Sequence, residues 1–284
     1  MMRRIGIVAA VVWPALSLHA QVPPPAADIA PAVVITVPSV SLESQQIASI
    51  LLPASYAQSN RRYPVLYLLH GGGQDHTAFA TRSWFRALGS RDMIVVTPKV
   101  GDSWYVNSAA DPKAKYEDFV VKDLVEFVDS RYRTVPSREG RAVAGVSMGA
   151  WGAMLLGLKH PQIFGAIGAF SAPFGISRQD PKMDMASKTQ QRFGVPDTPD
   201  RRERDPSTLA TTIPLDSVPM LYLASGNQDL FVADNRAFVQ RLTARKIPYE
   251  YREVSPLGHS WDLWDTQVVN FIDILSGRWG PASR

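Results

Sequence analysis

From residue 63 onward the chain alternates short, continuous apolar runs with stretches of helical spacing. Residues 63–70 (YPVLYLLH) and 93–99 (MIVVTPK) are apolar almost throughout, as expected of strands buried on both faces. Residues 141–145 (RAVAG), 164–170 (FGAIGAF) and 219–225 (PMLYLAS) have the same character, and 249–254 (YEYREV) completes the strand series. Residues 116–132 (YEDFVVKDLVEFVDSRY) place Phe119, Leu124, Phe127 and Val128 on one stripe, with charged residues filling the rest; this spacing predicts an amphipathic helix. Further helices are predicted from Met148 to about Lys159, over 234–246, and from Asp262 to about Leu275. Ahead of this series, AVVITVPSVSL and IASILLP alternate in the manner of an opening antiparallel pair. Strand and helix in turn from residue 64 argue an α/β protein with a mostly parallel sheet wrapped by helices.

The interval 173–214 breaks the rhythm. It holds DMASKTQQRFG and the charged run RRERD at 201–205. It reads either as a solvated excursion or as a cap over a site, since long insertions in compact domains are often lids. No second linker, repeat or low-complexity run follows residue 31, so one domain is expected over 32–284.

The first twenty residues change the picture. Arg3 and Arg4 precede IGIVAAVVWPALSL, and LHA leads into QVPPPAADIAP, the pattern of a signal peptide cut after Ala20. About fourteen apolar residues interrupted by Pro14 are too few to span a bilayer, so no stable membrane anchor is expected. Residues 21–31 read as a flexible leader. The expected destination is secreted or periplasmic. Cleavage would remove two arginines and no acid, lowering the formal net charge from +4 to +2, so a nucleic-acid partner gains no support. The chain has no cysteine, which excludes a thiol nucleophile, a zinc–cysteine site and a lipoprotein anchor.

Ser147 stands in GVSMG, between a predicted strand and a predicted helix, where a nucleophile elbow belongs. Gly145 and Gly149 lack side chains where strand and helix must nearly touch, and Ala144, Ala150 and Gly152 keep the crossing thin. LLHGGG (68–73) follows a buried strand with a glycine turn whose N–H groups can face an oxyanion. It carries neither G-x-G-x-x-G nor a following Lys-Ser/Thr, so phosphate binding is disfavoured.

Five histidines offer a base. His19 lies in the signal, His70 in the glycine turn, His76 just beyond it, and His160 at a helix end where a polar cap is expected. His259, in PLGHSWDLW between the last strand and the last helix, is the base that remains. Two aspartates follow the strand at 219–225. Asp234 reads as a helix N-cap, and Asp229 as the acid that orients His259. Neither a cofactor nor a metal is expected, because no H-E-x-x-H or clustered ligand set is present.

Together YPVLYLLHGGG, DSWYVNS, YEDFVVKDLVEFVDSRYR, GVSMGAWGAM and GHSWDLW resemble the putative-esterase family of α/β-hydrolases, over roughly residues 33–276. Its relatives include S-formylglutathione hydrolases, feruloyl and other carbohydrate esterases, and mycolyltransferases. The resemblance implies an α/β-hydrolase fold, with helices on both faces of the sheet. It implies Ser147 as nucleophile, Asp229 and His259 as its partners, and the amides of Gly72 and Met148 as oxyanion donors. His70 and Gly71 of the turn, Trp104 and Tyr105 of the SWY segment, and Trp261 are the expected substrate-binding residues. The three aromatics face a sugar or aromatic ring, or serve as plain packing. The expected activity is hydrolysis of a small-molecule or carbohydrate ester, with acyl transfer to a sugar as the alternative on the same triad.

Overall fold

A computed structural model describes residues 31–178 and 186–280. The expected signal peptide at 1–20 and nearly all of the leader at 21–31 lie outside the described residues, as does part of 173–214. Eight strands form one sheet: β1 (Val33–Ser39), β2 (Ser44–Leu51), β3 (Val65–Leu69), β4 (Ile94–Pro98), β5 (Arg141–Val146), β6 (Ala166–Phe170), β7 (Met220–Gly226) and β8 (Glu250–Val254). Their spatial order is β1-β2-β4-β3-β5-β6-β7-β8. β1, β2 and β4 pair antiparallel, and the pairs from β4 through β3 to β8 are parallel.

The helices are α1 (Ser83–Ala87), α2 (Tyr116–Asp118), α3 (Val125–Arg131), α4 (Met148–Lys159), α5 (Ala186–Phe193), α6 (Pro199–Arg202), α7 (Pro206–Thr212), α8 (Val232–Ala244) and α9 (Trp261–Trp279). They cover both faces of the sheet, and β3 shows how its residues divide. Val65, Tyr67 and Leu69 join the core beneath α3, α4 and α8, while Leu66 and Leu68 join the core beneath α1 and α9. Period-two side-chain alternation with both faces buried is why this strand reads as an unbroken apolar run.

Two expectations about the helices are corrected. The single helix expected over 116–132 contains a π-helical segment at Phe119–Leu124 between α2 and α3. The wider turn brings Val120 and Val121 into the core beside Phe119 and Leu124, so the buried face is broader than a 3.6-residue stripe. Helix α8 starts at Val232, so Asp234 lies in its first turn and is not its N-cap; its carboxylate accepts the Gly175 N–H at 2.9 Å.

His160 is the C-cap residue of α4, its backbone N–H donating to the Leu156 carbonyl, while its side chain turns elsewhere. Its Nε2 lies 2.8 Å from Glu117, whose carboxylate also meets Lys159 Nζ at 3.0 Å. Glu117 is 2% exposed. Burial pushes its carboxyl up, but His160 and Lys159 outweigh burial and hold it below the usual carboxylate range. A depressed carboxylate contributes stability above its unfolded pKa, and the contribution is lost as pH falls through the folded value. Glu117→Gln is therefore expected to cost about 2 kcal/mol at pH 7, roughly 4 to 8 °C in Tm for a domain of this size. The gap to wild type should close as the pH falls below about 4, and thermal melts across that range check it.

The segment after β6 is not simply solvated. Within RRERD, Arg201 and Asp205 are 5% and 4% exposed. The Arg201 guanidinium donates to the carbonyls of Ser177 (2.5 Å) and Gly194 (2.6 Å), tying together chain that enters and leaves α5. Phe193, at the end of α5, packs against Trp104 and Trp151.

Candidate active site

The register of the parallel strands gathers the chemistry-bearing loops at one sheet edge. Leu69 aligns with Gly145, Val146 with Phe170, Phe170 with Ala224, and Gly226 with Val254. The residues that follow these ends are therefore neighbours: the 70–73 turn, Ser147, Ser171, Asp229 and His259. β3 is flanked by β4 on one side and β5 on the other, so the chain reverses its direction of travel across the sheet here. A crevice at such a switch point is where ligands bind in open α/β sheets.

Ser147 has φ 53° and ψ −118°, a backbone that non-glycine residues adopt only when their surroundings enforce it. The enforcing contacts are close. A Cβ on Gly149 would lie 2.2 Å from the Leu69 carbonyl oxygen, and one on Gly145 would lie 2.4 Å from Gly149 backbone. Gly152 serves a different neighbour from the one expected, because a Cβ there would meet the Tyr105 ring at 2.4 Å. The Ser147 amide donates to the Phe170 carbonyl at 2.9 Å.

Ser147 Oγ is 2.9 Å from His259 Nε2. His259 Nδ1 is 3.2 Å from both carboxylate oxygens of Asp229. An ionised carboxylate only accepts, so Nδ1 carries the proton and Nε2 is left to accept from the serine hydroxyl. The Asp229 side chain is fully buried, while that of His259 retains 19% exposure. Burial pushes the Asp229 carboxyl up, but His259, the nearby Ser171 hydroxyl and the Phe231 amide outweigh it and hold it below the usual carboxylate range. The His259 ring is held edge to face by Phe231 (5.1 Å) and Trp264 (4.9 Å). This is a nucleophile–base–orienter arrangement of the kind that activates a hydroxyl.

The glycine turn lies against Ser147; a Cβ on Gly71 would be 3.4 Å from that of Ser147. Its amides have divided roles. Gly71 donates to Gln74 Oε1 (2.9 Å) and Gly73 to Asp102 Oδ1 (3.1 Å). The Gly72 amide, between them, and the Met148 amide, at the start of α4, have no partner among the described residues. Met148 directly follows Ser147, and Gly72 directly follows the glycine that lies against it.

His70 and Tyr105 do not offer themselves to a substrate, which corrects that part of the expectation. His70 is 1% exposed; its Nδ1 donates to the Gly71 carbonyl (2.8 Å), and its Nε2 accepts from Val100 (3.3 Å). Burial pushes its pKa down, in keeping with a neutral ring that donates through one nitrogen and accepts through the other. Tyr105 is fully buried, and its hydroxyl donates to the His70 carbonyl at 2.9 Å. Both residues therefore shape the glycine turn from beneath. The Gly71 amide is already used by Gln74. Trp104 is partly exposed, edge to face with Trp151 and Phe193. Trp261 is partly exposed, with Phe79 against it and the Arg82 guanidinium 4.7 Å over its ring.

The sequence reading missed Ser171, Phe231 and Trp264 around Asp229 and His259, and Gln74 and Asp102 around the turn. Leu230, next to Asp229 in sequence, is 69% exposed. Among the described residues, no group of three or more His, Cys, Asp or Glu side chains comes together to hold a metal, and no helix is long and apolar enough to cross a membrane.

The family model for the putative esterases matches residues 39–273. An esterase of Mycobacterium tuberculosis is 32% identical over 244 residues, covering 74% of this chain and 52% of that protein. The chain thus spans about half the length of that relative. An acetyl esterase of Caldicellulosiruptor saccharolyticus is 27% identical over 220 residues, covering 74% of this chain and 82% of that protein. Among solved structures, a ferulic acid esterase superposes with a TM-score of 0.74 at 27% identity, over 88% of this chain and 98% of that one. On this evidence the chain belongs to the putative-esterase family and has the α/β-hydrolase fold.

Proposed function

We propose that the protein is a serine carboxylic-ester hydrolase that works through an acyl-enzyme. The observation that carries this reading is the 2.9 Å contact from Ser147 Oγ to a histidine whose other nitrogen rests on the buried Asp229. Ser147 Oγ attacks the ester carbonyl carbon as His259 Nε2 takes its proton. The carbonyl oxygen becomes an oxyanion facing the amides of Gly72 and Met148. The bond to the alcohol oxygen then breaks, and His259 returns the proton to the leaving alkoxide. A water, deprotonated by His259, adds to the acyl carbon, and the acid leaves as Ser147 recovers its proton. Asp229 stays ionised throughout and supports the imidazolium that forms twice per turnover.

The names of the relatives, an acetyl esterase and a ferulic acid esterase, favour acetyl and feruloyl esters as substrates, and we propose a small-molecule or carbohydrate alcohol as leaving group. The pattern of residues 1–20 favours export to the periplasm or beyond. A fluorophosphonate probe is expected to label the protein once, at Ser147, and to abolish hydrolysis of p-nitrophenyl acetate in proportion to labelling. Labelling at another residue, or activity that disappears with a chelator and returns with zinc, defeats the serine mechanism. Product analysis with a sugar acceptor present distinguishes transfer from hydrolysis.

A further inference from the structure

The glycine turn at 70–73 is held from outside by one short loop, residues 100–105. Peptide 70–71 is fixed at both ends. The Tyr105 hydroxyl donates to the His70 carbonyl at 2.9 Å, and the Gly71 amide donates to Gln74 Oε1 at 2.9 Å. Peptide 71–72 is fixed through its carbonyl, which accepts from His70 Nδ1 at 2.8 Å and from the Gln74 amide at 3.3 Å. Its other end is the Gly72 N–H, which has no partner among the described residues. Peptide 72–73 donates its amide to Asp102 Oδ1 at 3.1 Å. The free donor thus belongs to a peptide between two that the loop grips. The loop itself is strained into place, since Trp104 and Tyr105 both have φ 59°. Tyr105 fits because Gly152 lies opposite it, where a Cβ would meet its ring at 2.4 Å. Gly152 stands one turn after Met148 in α4, so the helix that carries the Met148 amide also seats the Tyr105 ring.

We infer that Asp102 and Tyr105 are positioning residues, which aim the Gly72 amide by clamping the peptides on either side of it. This rests on the role proposed above for that amide as an oxyanion donor. In a trans peptide the carbonyl and the N–H point in opposite directions, so the Gly72 N–H is aimed by whatever fixes its peptide plane. That plane swings about backbone bonds of Gly71 and Gly72, which glycine leaves unusually free. Holding the neighbouring peptides removes this freedom. Tyr105 holds the upstream one from beneath, where it is fully buried, and Asp102 holds the downstream one from the solvent side. A donor aimed in advance needs no reorganisation when the oxyanion forms, whereas a loose turn must be ordered at every turnover.

Tyr105→Phe keeps the buried ring and removes only its hydroxyl, and Asp102→Ala removes the downstream acceptor. Each is expected to lower kcat on p-nitrophenyl acetate by about ten-fold with KM within about two-fold, because the amide serves the oxyanion and not the bound ester. The double variant should lose about 10²- to 10³-fold and no more, the loss when an oxyanion donor is removed outright. Asp102→Asn keeps an acceptor oxygen and is expected to recover most of the rate. A second readout is the inhibition constant of trifluoroacetone. Ser147 Oγ adds to its carbonyl carbon, the serine proton passes to His259, and the carbonyl oxygen becomes the oxyanion of a hemiketal. The inhibition constant should rise in each slow variant by about the factor that kcat/KM falls, which a general loosening of the fold would not produce. Wild-type kcat in either Tyr105→Phe or Asp102→Ala overturns the inference. So does a slowed variant with unchanged inhibition, or Asp102→Asn as slow as Asp102→Ala. Ser147→Ala run beside them separates the two readings. If it is inactive while Tyr105→Phe is fully active, the clamp alone is wrong; if it is active, the assignment of the site is wrong.

Discussion

Ser147→Ala is expected to lower kcat for ester hydrolysis by about 10⁶-fold, the loss seen when the nucleophile of a serine triad is removed. The residual rate would come from binding and from the oxyanion donors, which the substitution leaves in place. The fold should survive it. The strain at Ser147 comes from a positive φ, which alanine shares with serine because both carry a Cβ. The side chain makes one hydrogen bond, to His259, and the elbow is held by backbone: the Ser147 amide on Phe170, and the Ser147 carbonyl accepting from Ala150 and Trp151. The melting temperature should therefore move by no more than about 2 °C, the size of an ordinary surface substitution. Steady-state turnover and a thermal melt on the same preparation check both halves. A variant keeping more than about a thousandth of wild-type turnover, well above the residual expected for a lost nucleophile, would show that another group attacks the ester.

How far the sequence reveals the molecule depends on whether a signal is local. β3, β5, β6 and β7 are legible because burial on both faces leaves no room for polar residues along the run. The order of Ser147, Asp229 and His259 is legible because each lies just beyond a strand, and parallel strands deliver their ends to one edge. Pairings across long separations are not. Glu117 meets His160, and Trp264 meets Ser171, through contacts that no spacing announces. Exposure is equally hidden. Trp104 and Tyr105 both have φ 59°, which turns Tyr105 under the glycine turn instead of toward the cleft. Nothing in SWY encodes that pair of backbone angles. The charged run at 201–205 misleads for a related reason: alternation of charge reads as surface, yet Arg201 is drawn inward by two carbonyls left free around α5.

The two aspartates after β7 give the sharpest separation of chemistry from structure. Asp229→Asn is expected to lower kcat by about 10⁴-fold, as the same change does in a serine triad studied elsewhere. An asparagine amide at this position donates toward Nδ1 of His259, which favours the tautomer with its proton on Nε2, where it cannot accept from Ser147. The charge that supports the imidazolium is lost as well. The structural cost is small, because the asparagine carbonyl can still accept the Phe231 amide, and one fewer buried charge offsets part of what remains. Asp234→Asn removes a charge from the first turn of α8, worth about 0.3 to 1 kcal/mol, while its carbonyl can still accept from Gly175. Its kcat should stay within about three-fold of wild type, since it makes no contact with His259. Measured on one ester substrate, the pair is expected to differ in turnover by more than 10³-fold and in melting temperature by only a few degrees. Asp229 is held below the usual carboxylate range, so in the Asp234→Asn variant it remains ionised across neutral pH. A crippled Asp234→Asn beside an active Asp229→Asn would transfer the orienting role to the helix residue and leave the 3.2 Å contacts to His259 without a catalytic meaning.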